Sequence, residues 1–72
     1  MARFIIGYKG LLAEMYVTGF SEPMEVDGGG MERSVKASSS LEHARVFTDA
    51  DVEEGLQLTR RTQPTAKKIE VE

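Results

Sequence analysis

The run Ala44-Arg45-Val46-Phe47-Thr48-Asp49-Ala50-Asp51-Val52 constrains the fold more than any other, because it reads as a strand that delivers the chain directly into a capped helix. Thr48 stands where an N-cap hydroxyl accepts from the backbone N–H of Asp51, and Asp51 stands where a short acidic side chain answers the cap. Phe47 before the cap and Val52 at the fourth helical position are spaced as a hydrophobic staple, which fixes the angle between strand and helix. The spacing predicts a strand over 44–47 and a helix over about 49–62, starting at Asp49.

Val52, Leu56 and Thr59 recur at four and three residues and form the inward stripe of that helix, with Ala50 or Leu58 at its margins. Gly55 lies inside the helix at a cost of about 1 kcal/mol relative to alanine, so it either admits a close approach to a sheet or marks a weak point. Asp49, Asp51, Glu53 and Glu54 crowd the first turns and Arg60 and Arg61 the last, in accord with the helix macrodipole. Pro64 stops the helix and pushes Gln63 toward an extended conformation. Residues 67–72 then alternate as a closing strand, with Ile69 and Val71 inward and Lys68, Glu70 and Glu72 outward.

In the N-terminal half, Phe4, Ile6 and Tyr8 alternate with Arg3, Ile5 and Gly7, the pattern of a central strand with an aromatic-rich buried face and Ile5 partly covered on the other. Lys9-Gly10 is a turn signal. Residues 11–20 resume a strand pattern in which Leu11, Ala13, Met15, Val17 and Gly19 share a face. Leu11-Leu12-Ala13-Glu14-Met15 would also suit a helix, but Tyr16-Val17-Thr18 is a β-branched and aromatic run followed by a glycine, which favours strand. After Ser21-Glu22-Pro23, residues 24–36 form a hairpin around Asp27-Gly28-Gly29-Gly30. Its apolar content is only Met24, Val26, Met31 and Val35, so it is expected at an edge or as a projecting flap. Ser38-Ser39-Ser40 breaks the chain, and Ser40 caps one helical turn before the sheet resumes at Ala44. The whole is an α+β domain in which a small antiparallel sheet of three to five strands is covered on one face by one helix.

At 72 residues the chain is a single domain able to bury only about 60% of its unfolded surface. No apolar run approaches the roughly 20 residues that span a bilayer. The opening Met1-Ala2-Arg3-Phe4-Ile5-Ile6-Gly7-Tyr8 is interrupted too early for a signal-peptide apolar segment, so a cytoplasmic location is expected. The absence of cysteine removes disulfides, thiolate nucleophiles and cysteine zinc sites together. A net charge of -3 with a pI near 5.1 argues against broad nucleic-acid binding, which gains from a basic surface, and favours basic surfaces on other proteins.

Asp27-Gly28-Gly29-Gly30 lacks the Gly-Lys-Ser/Thr ending of a phosphate-cradling loop and does not lead into a helix. His43, the one histidine, has no second histidine or cysteine to complete a common transition-metal set. No cofactor is expected. Asp49, Asp51, Glu53 and Glu54 do not match a calcium loop; helix-start electrostatics accounts for them, and they can also face a basic partner, with Glu25 and Met31 of the hairpin as further contacts. Arg60, Arg61, Lys67 and Lys68 flank Pro64 and form the alternative, nucleic-acid patch, without an aromatic platform for stacking bases. Tyr8, Tyr16 and Phe20 read as core or sheet-face residues. No serine, histidine and carboxylate set is signalled by spacing, and an enzyme is not expected.

The C-terminal run Ala44-Arg45-Val46-Phe47-Thr48, the acidic helix after it and the final Lys68-Ile69-Glu70-Val71-Glu72 strand resemble very small proteins encoded by bacteriophages and mobile elements, including some small anti-CRISPR proteins. The likeness covers about 29 residues and departs from that pattern at Gly28-Gly29-Gly30 and at Gly55. It implies a non-enzymatic accessory protein that binds a host protein complex and inhibits it, a defence complex included. Two alternatives stand beside it: a nucleic-acid-binding module, and a self-assembling protein in which Met24, Val26, Met31 and Val35 bury against another copy.

Overall fold

The computed structural model describes residues 2–71 as an α+β domain, so the expected alternation at Glu72 lies outside the described residues. Its elements are β1 (Arg3–Lys9), β2 (Glu14–Phe20), β3 (Met24–Glu25), β4 (Met31–Glu32), β5 (Val35–Ser38), a 3-10 turn (Leu41–His43), β6 (Phe47–Thr48), α1 (Val52–Arg60) and β7 (Lys67–Glu70). Five strands form one antiparallel sheet, while β3 and β4 pair only with each other. β1 is central, as its alternation predicts. Phe4 lies opposite both Phe47 and Glu70, and Gly7 opposite both Tyr16 and Lys67. Since a strand has two edges, β7 takes one alone, and β2 and β6 share the other, β2 at residues 7–9 and β6 at residues 3–4.

The sheet is therefore split. β2 leaves β1 after Tyr16, and the freed carbonyl of Val17 accepts the Arg45 N–H at 2.9 Å, so the chain entering β6 fills the cleft between the diverging strands. A register shift at Thr18 in the β2–β5 ladder marks a bulge. The bulge bends the strand and turns Phe20 toward the face of Val17 instead of the face of Tyr16. β6 and β7, both antiparallel to β1, run parallel to each other with α1 between them in sequence, a split β-α-β unit.

Ile6, Val17, Phe47, Val52, Leu56 and Ala66 make the core, with Phe4, Tyr8, Phe20 and Val35 packed against it. The predicted stripe of Val52, Leu56 and Thr59 is buried, and so is Gly55. The Thr59 hydroxyl is satisfied by donating to the Gly55 carbonyl at 2.9 Å. Gly55 is the point of closest approach between helix and sheet. A Cβ there would stand 3.0 Å from Phe47 Cε1, 3.1 Å from Ile6 Cδ1 and 3.4 Å from Phe20 Cζ. Gly55→Ala gains about 1 kcal/mol of helix propensity but presses on three packed side chains, at a typical cost of about 1–3 kcal/mol. A lower urea midpoint is expected; a higher one would show that the core has slack beneath the helix.

Five expectations are corrected. The helix begins at Val52, and Asp49, Ala50 and Asp51 form a turn before it. The Asp51 carboxylate accepts the Thr48 N–H at 2.7 Å and the Thr48 hydroxyl at 3.2 Å. The acidic half of the capping box thus forms, but the Thr48 hydroxyl is used as a donor and no longer caps. The strand predicted over 44–47 shrinks to Phe47–Thr48 because residues 44–46 are spent bridging to β2. In the second strand, a turn closed by the Gly10 N–H on the Ala13 carbonyl at 2.9 Å leaves Leu11 and Leu12 fully in solvent, and pairing starts at Glu14. In β7, Lys68 faces the helix, whereas Ile69 pairs with Ile5 on the opposite face and Val71 is exposed. Ile69 helps to bury Ile5 to 5% exposure, more cover than the sequence suggested.

Candidate functional site

The part of the molecule that folding does not use is the flap over residues 22–33. Its base is clasped where Ser21 N–H donates to the Ser34 carbonyl and Ser34 N–H to Ser21 Oγ, both at 2.8 Å. Arg33 Nε reaches the Ser21 carbonyl at 2.9 Å, with its guanidinium 5.8 Å from the centre of the Phe20 ring. At the tip, Gly28, Gly29 and Gly30 hold φ of 92°, 85° and 103°, a run of left-handed backbone that L side chains resist. Between base and tip, β3 and β4 pair Met24 with Glu32 and Glu25 with Met31. Val35, expected in this hairpin, belongs to β5 in the main sheet. Met24 and Met31 remain 56% and 61% exposed, so neither contributes to the core.

The flap does not float free of the domain. Together with the C-terminal half of α1 it encloses a cleft of about 330 Å³ floored by Tyr8, Val35 and Leu58 and walled by Met24 and Val26. Glu25, Glu32, Arg33 and Arg61 also contribute to its lining. A methionine in an open cleft adapts its shape to different partners, and charges of both signs in the lining favour a segment that carries complementary charge. A second depression between the β1–β2 turn and residues 63–65 shares Tyr8 and Gln63 with this cleft. One apolar band therefore runs from Met24 past Tyr8 to Met15 and Leu11.

The predicted acidic residues have different local partners. Asp49 is exposed in the turn, and Asp51 is occupied by Thr48. Glu53 accepts from Lys68 Nζ at 2.6 Å. The hydrogen bond from Lys68, helped by its charge and by that of Arg60, holds the Glu53 carboxyl below its ordinary value of 4.5. A lowered carboxyl pKa stabilises the fold above the unfolded value and loses that contribution as pH falls through the folded one, and for so exposed a pair the effect is small. Glu54 lines a separate hollow with Arg33 and Arg45.

The basic residues likewise have different local partners. Arg60 Nε donates to the Ala66 carbonyl at 3.0 Å, Arg61 contributes to the cleft lining, and Lys68 lies 5.3 Å from the Phe4 ring centre. Lys67, the residue before it on the same strand, points to the other side of the sheet. Glu25 is among the residues that line the cleft, whereas Met31, its exposed partner across the hairpin, is not. His43 is exposed in the 3-10 turn. Among the described residues no three His, Asp or Glu side chains converge as metal ligands, and no helix is long and apolar enough to cross a membrane.

Sequence reasoning missed the cleft, because its walls come from three segments whose proximity depends on the split sheet. It also missed the Leu11-Leu12 protrusion, whose alternation imitates a strand. Compared with known proteins, this chain matches no family model, no curated protein and no solved structure.

Proposed function

We propose that the protein is a non-enzymatic binding module that docks on a larger protein assembly through the flap and the cleft beside α1. The observation that carries this reading is the flap itself: a hairpin with its own clasped base and glycine tip, whose two methionines stay exposed and add nothing to the core. A 72-residue chain has little apolar surface to spare, so leaving side chains of this size in water points to a partner that covers them. The partner presents a segment with apolar and basic residues. Residues 22–33 carry Glu22, Glu25, Asp27 and Glu32 against Arg33 alone, and opposite charge speeds and orients docking. The narrower form, a phage-encoded inhibitor of a host defence complex, is supported only by the resemblance of residues 44–72.

Capture on a tagged full-length chain, from nuclease-treated bacterial lysate to which defence complexes have been added, tests the reading against the Glu25→Lys/Glu32→Lys variant. A discrete complex held by the native chain and released by the variant is the expected result. A complex held equally by both would remove the cleft from the interface.

A further inference from the structure

A second surface, on the side of the sheet away from α1, carries the opposite charge from the rest of the molecule. Phe4 and Tyr8 pack on the core, so Gly7 and Lys9 between and beyond them face away from the helix. Lys67 lies opposite Gly7 on β7 and Tyr16 opposite it on β2. Lys36 shares this side, because its neighbour Val35 packs on the core. Of the carboxylates on the described strands of the main sheet, only Glu14, paired with Lys9, falls on the same face; Glu70 lies opposite Phe4 on the other. The acidic flap and Glu53 also lie elsewhere, so a chain of net charge -3 presents Lys9, Lys36 and Lys67 together around one aromatic ring.

That ring is placed as a platform. Gly7 is buried, and a Cβ on it would stand 3.4 Å from Tyr16 Cδ1 and 3.3 Å from Ile69 Cδ1. Tyr16 therefore leans across bare backbone, the arrangement in which an aromatic residue covers a cross-strand glycine, and it remains partly exposed. Lys67 is two strand spacings from Tyr16, about 10 Å, and Lys36 lies on its other side on β5. We propose that this face binds single-stranded nucleic acid without sequence preference, one base stacking on Tyr16 while Lys9, Lys36 and Lys67 meet neighbouring phosphates. A partly exposed ring between cations suits a strand of bases and phosphates better than an acidic peptide, which would use the cations alone. The surface is separate from the flap, so either proposal can fail without the other.

Fluorescence anisotropy of the full chain with labelled oligothymidylate and oligouridylate of about 12 nucleotides, and with a poly-glutamate peptide of similar length, tests the proposal. Oligonucleotide binding at low salt is expected to weaken by roughly tenfold or more between about 20 and 150 mM salt, the response to two or three phosphate contacts. Lys36→Glu/Lys67→Glu is expected to weaken it by a further tenfold or more. Tyr16→Leu, which keeps Gly7 covered, should lower affinity roughly five- to hundredfold, and Tyr16→Phe should restore it. Circular dichroism melts confirm that each variant is folded. Absence of salt-sensitive oligonucleotide binding, binding that ignores the Lys36, Lys67 and Tyr16 changes, or tighter binding of poly-glutamate would each overturn the proposal, the last by assigning the face to an acidic protein.

Discussion

Phe47→Ala is expected to cost the fold a large share of its stability. Phe47 is 1% exposed and enters the core where β1 and β2 separate, directly beneath Gly55. Its ring lies 6.2 Å from that of Phe20 and 5.0 Å from the Arg45 guanidinium, so its loss opens a cavity that strand, helix and bulge all border. Truncating a buried phenylalanine costs about 3–5 kcal/mol. A domain of this length has a total stability of about 4–10 kcal/mol, so such a loss removes roughly a third of it or more. Urea denaturation followed by circular dichroism measures it. A loss below about 1 kcal/mol would mean that the strand-to-helix junction is not the centre of the fold, and Leu11→Ala, at a site fully in solvent, serves as the control with an expected change within about 0.5 kcal/mol.

The same junction shows what the sequence could and could not reveal. Phe47 and Val52 were legible as a pair because their spacing reports a local constraint, and both reach the core. Thr48 and Asp51 were legible as partners for the same reason, but not which atom would donate. That choice depends on residues 44–46 bonding to β2, a contact between segments 28 residues apart at Arg45 and Val17. The central strand and helix stripe were readable from period alone. The direction of Ile69 and Lys68 was not, because an alternating strand next to β1 suits either face until register is known. For Lys68, the Phe4 ring and Glu53 on the helix side supply what a bare apolar face would not. The proposed sites illustrate the same limit. The flap was visible as a weakly apolar hairpin with a glycine tip, but a cleft needs two walls, and its second wall is the far end of α1. Lys9, Lys36 and Lys67 are scattered through the sequence and meet only through the pairings of β1, β2, β5 and β7.

Excision of the flap separates folding from binding. Ser21 and Ser34 continue the β2–β5 ladder that ends at Phe20 and Val35, so a two-residue Asn-Gly turn between them replaces residues 22–33 with the connection that best suits a hairpin. None of the removed residues is in the core. The shortened loop lowers the closure entropy and offsets the lost cover over Tyr8 and Leu58, so the unfolding midpoint is expected within a few degrees of the native one, equivalent to under about 1 kcal/mol. Partner capture should disappear. A shortened chain that fails to fold would make the flap structural and take away the support for the binding reading; one that folds and still captures the partner would move the interface elsewhere, with Leu11 and Leu12 the next surface to alter. The excised segment also holds four carboxylates against one arginine, so its removal leaves the remainder close to neutral. On the far face, the long-range repulsion of a polyanion should fall with it. The flapless chain is therefore expected to bind oligonucleotides at least as tightly as the native chain at low salt while losing its protein partner, opposite responses that a general loss of structure would not produce.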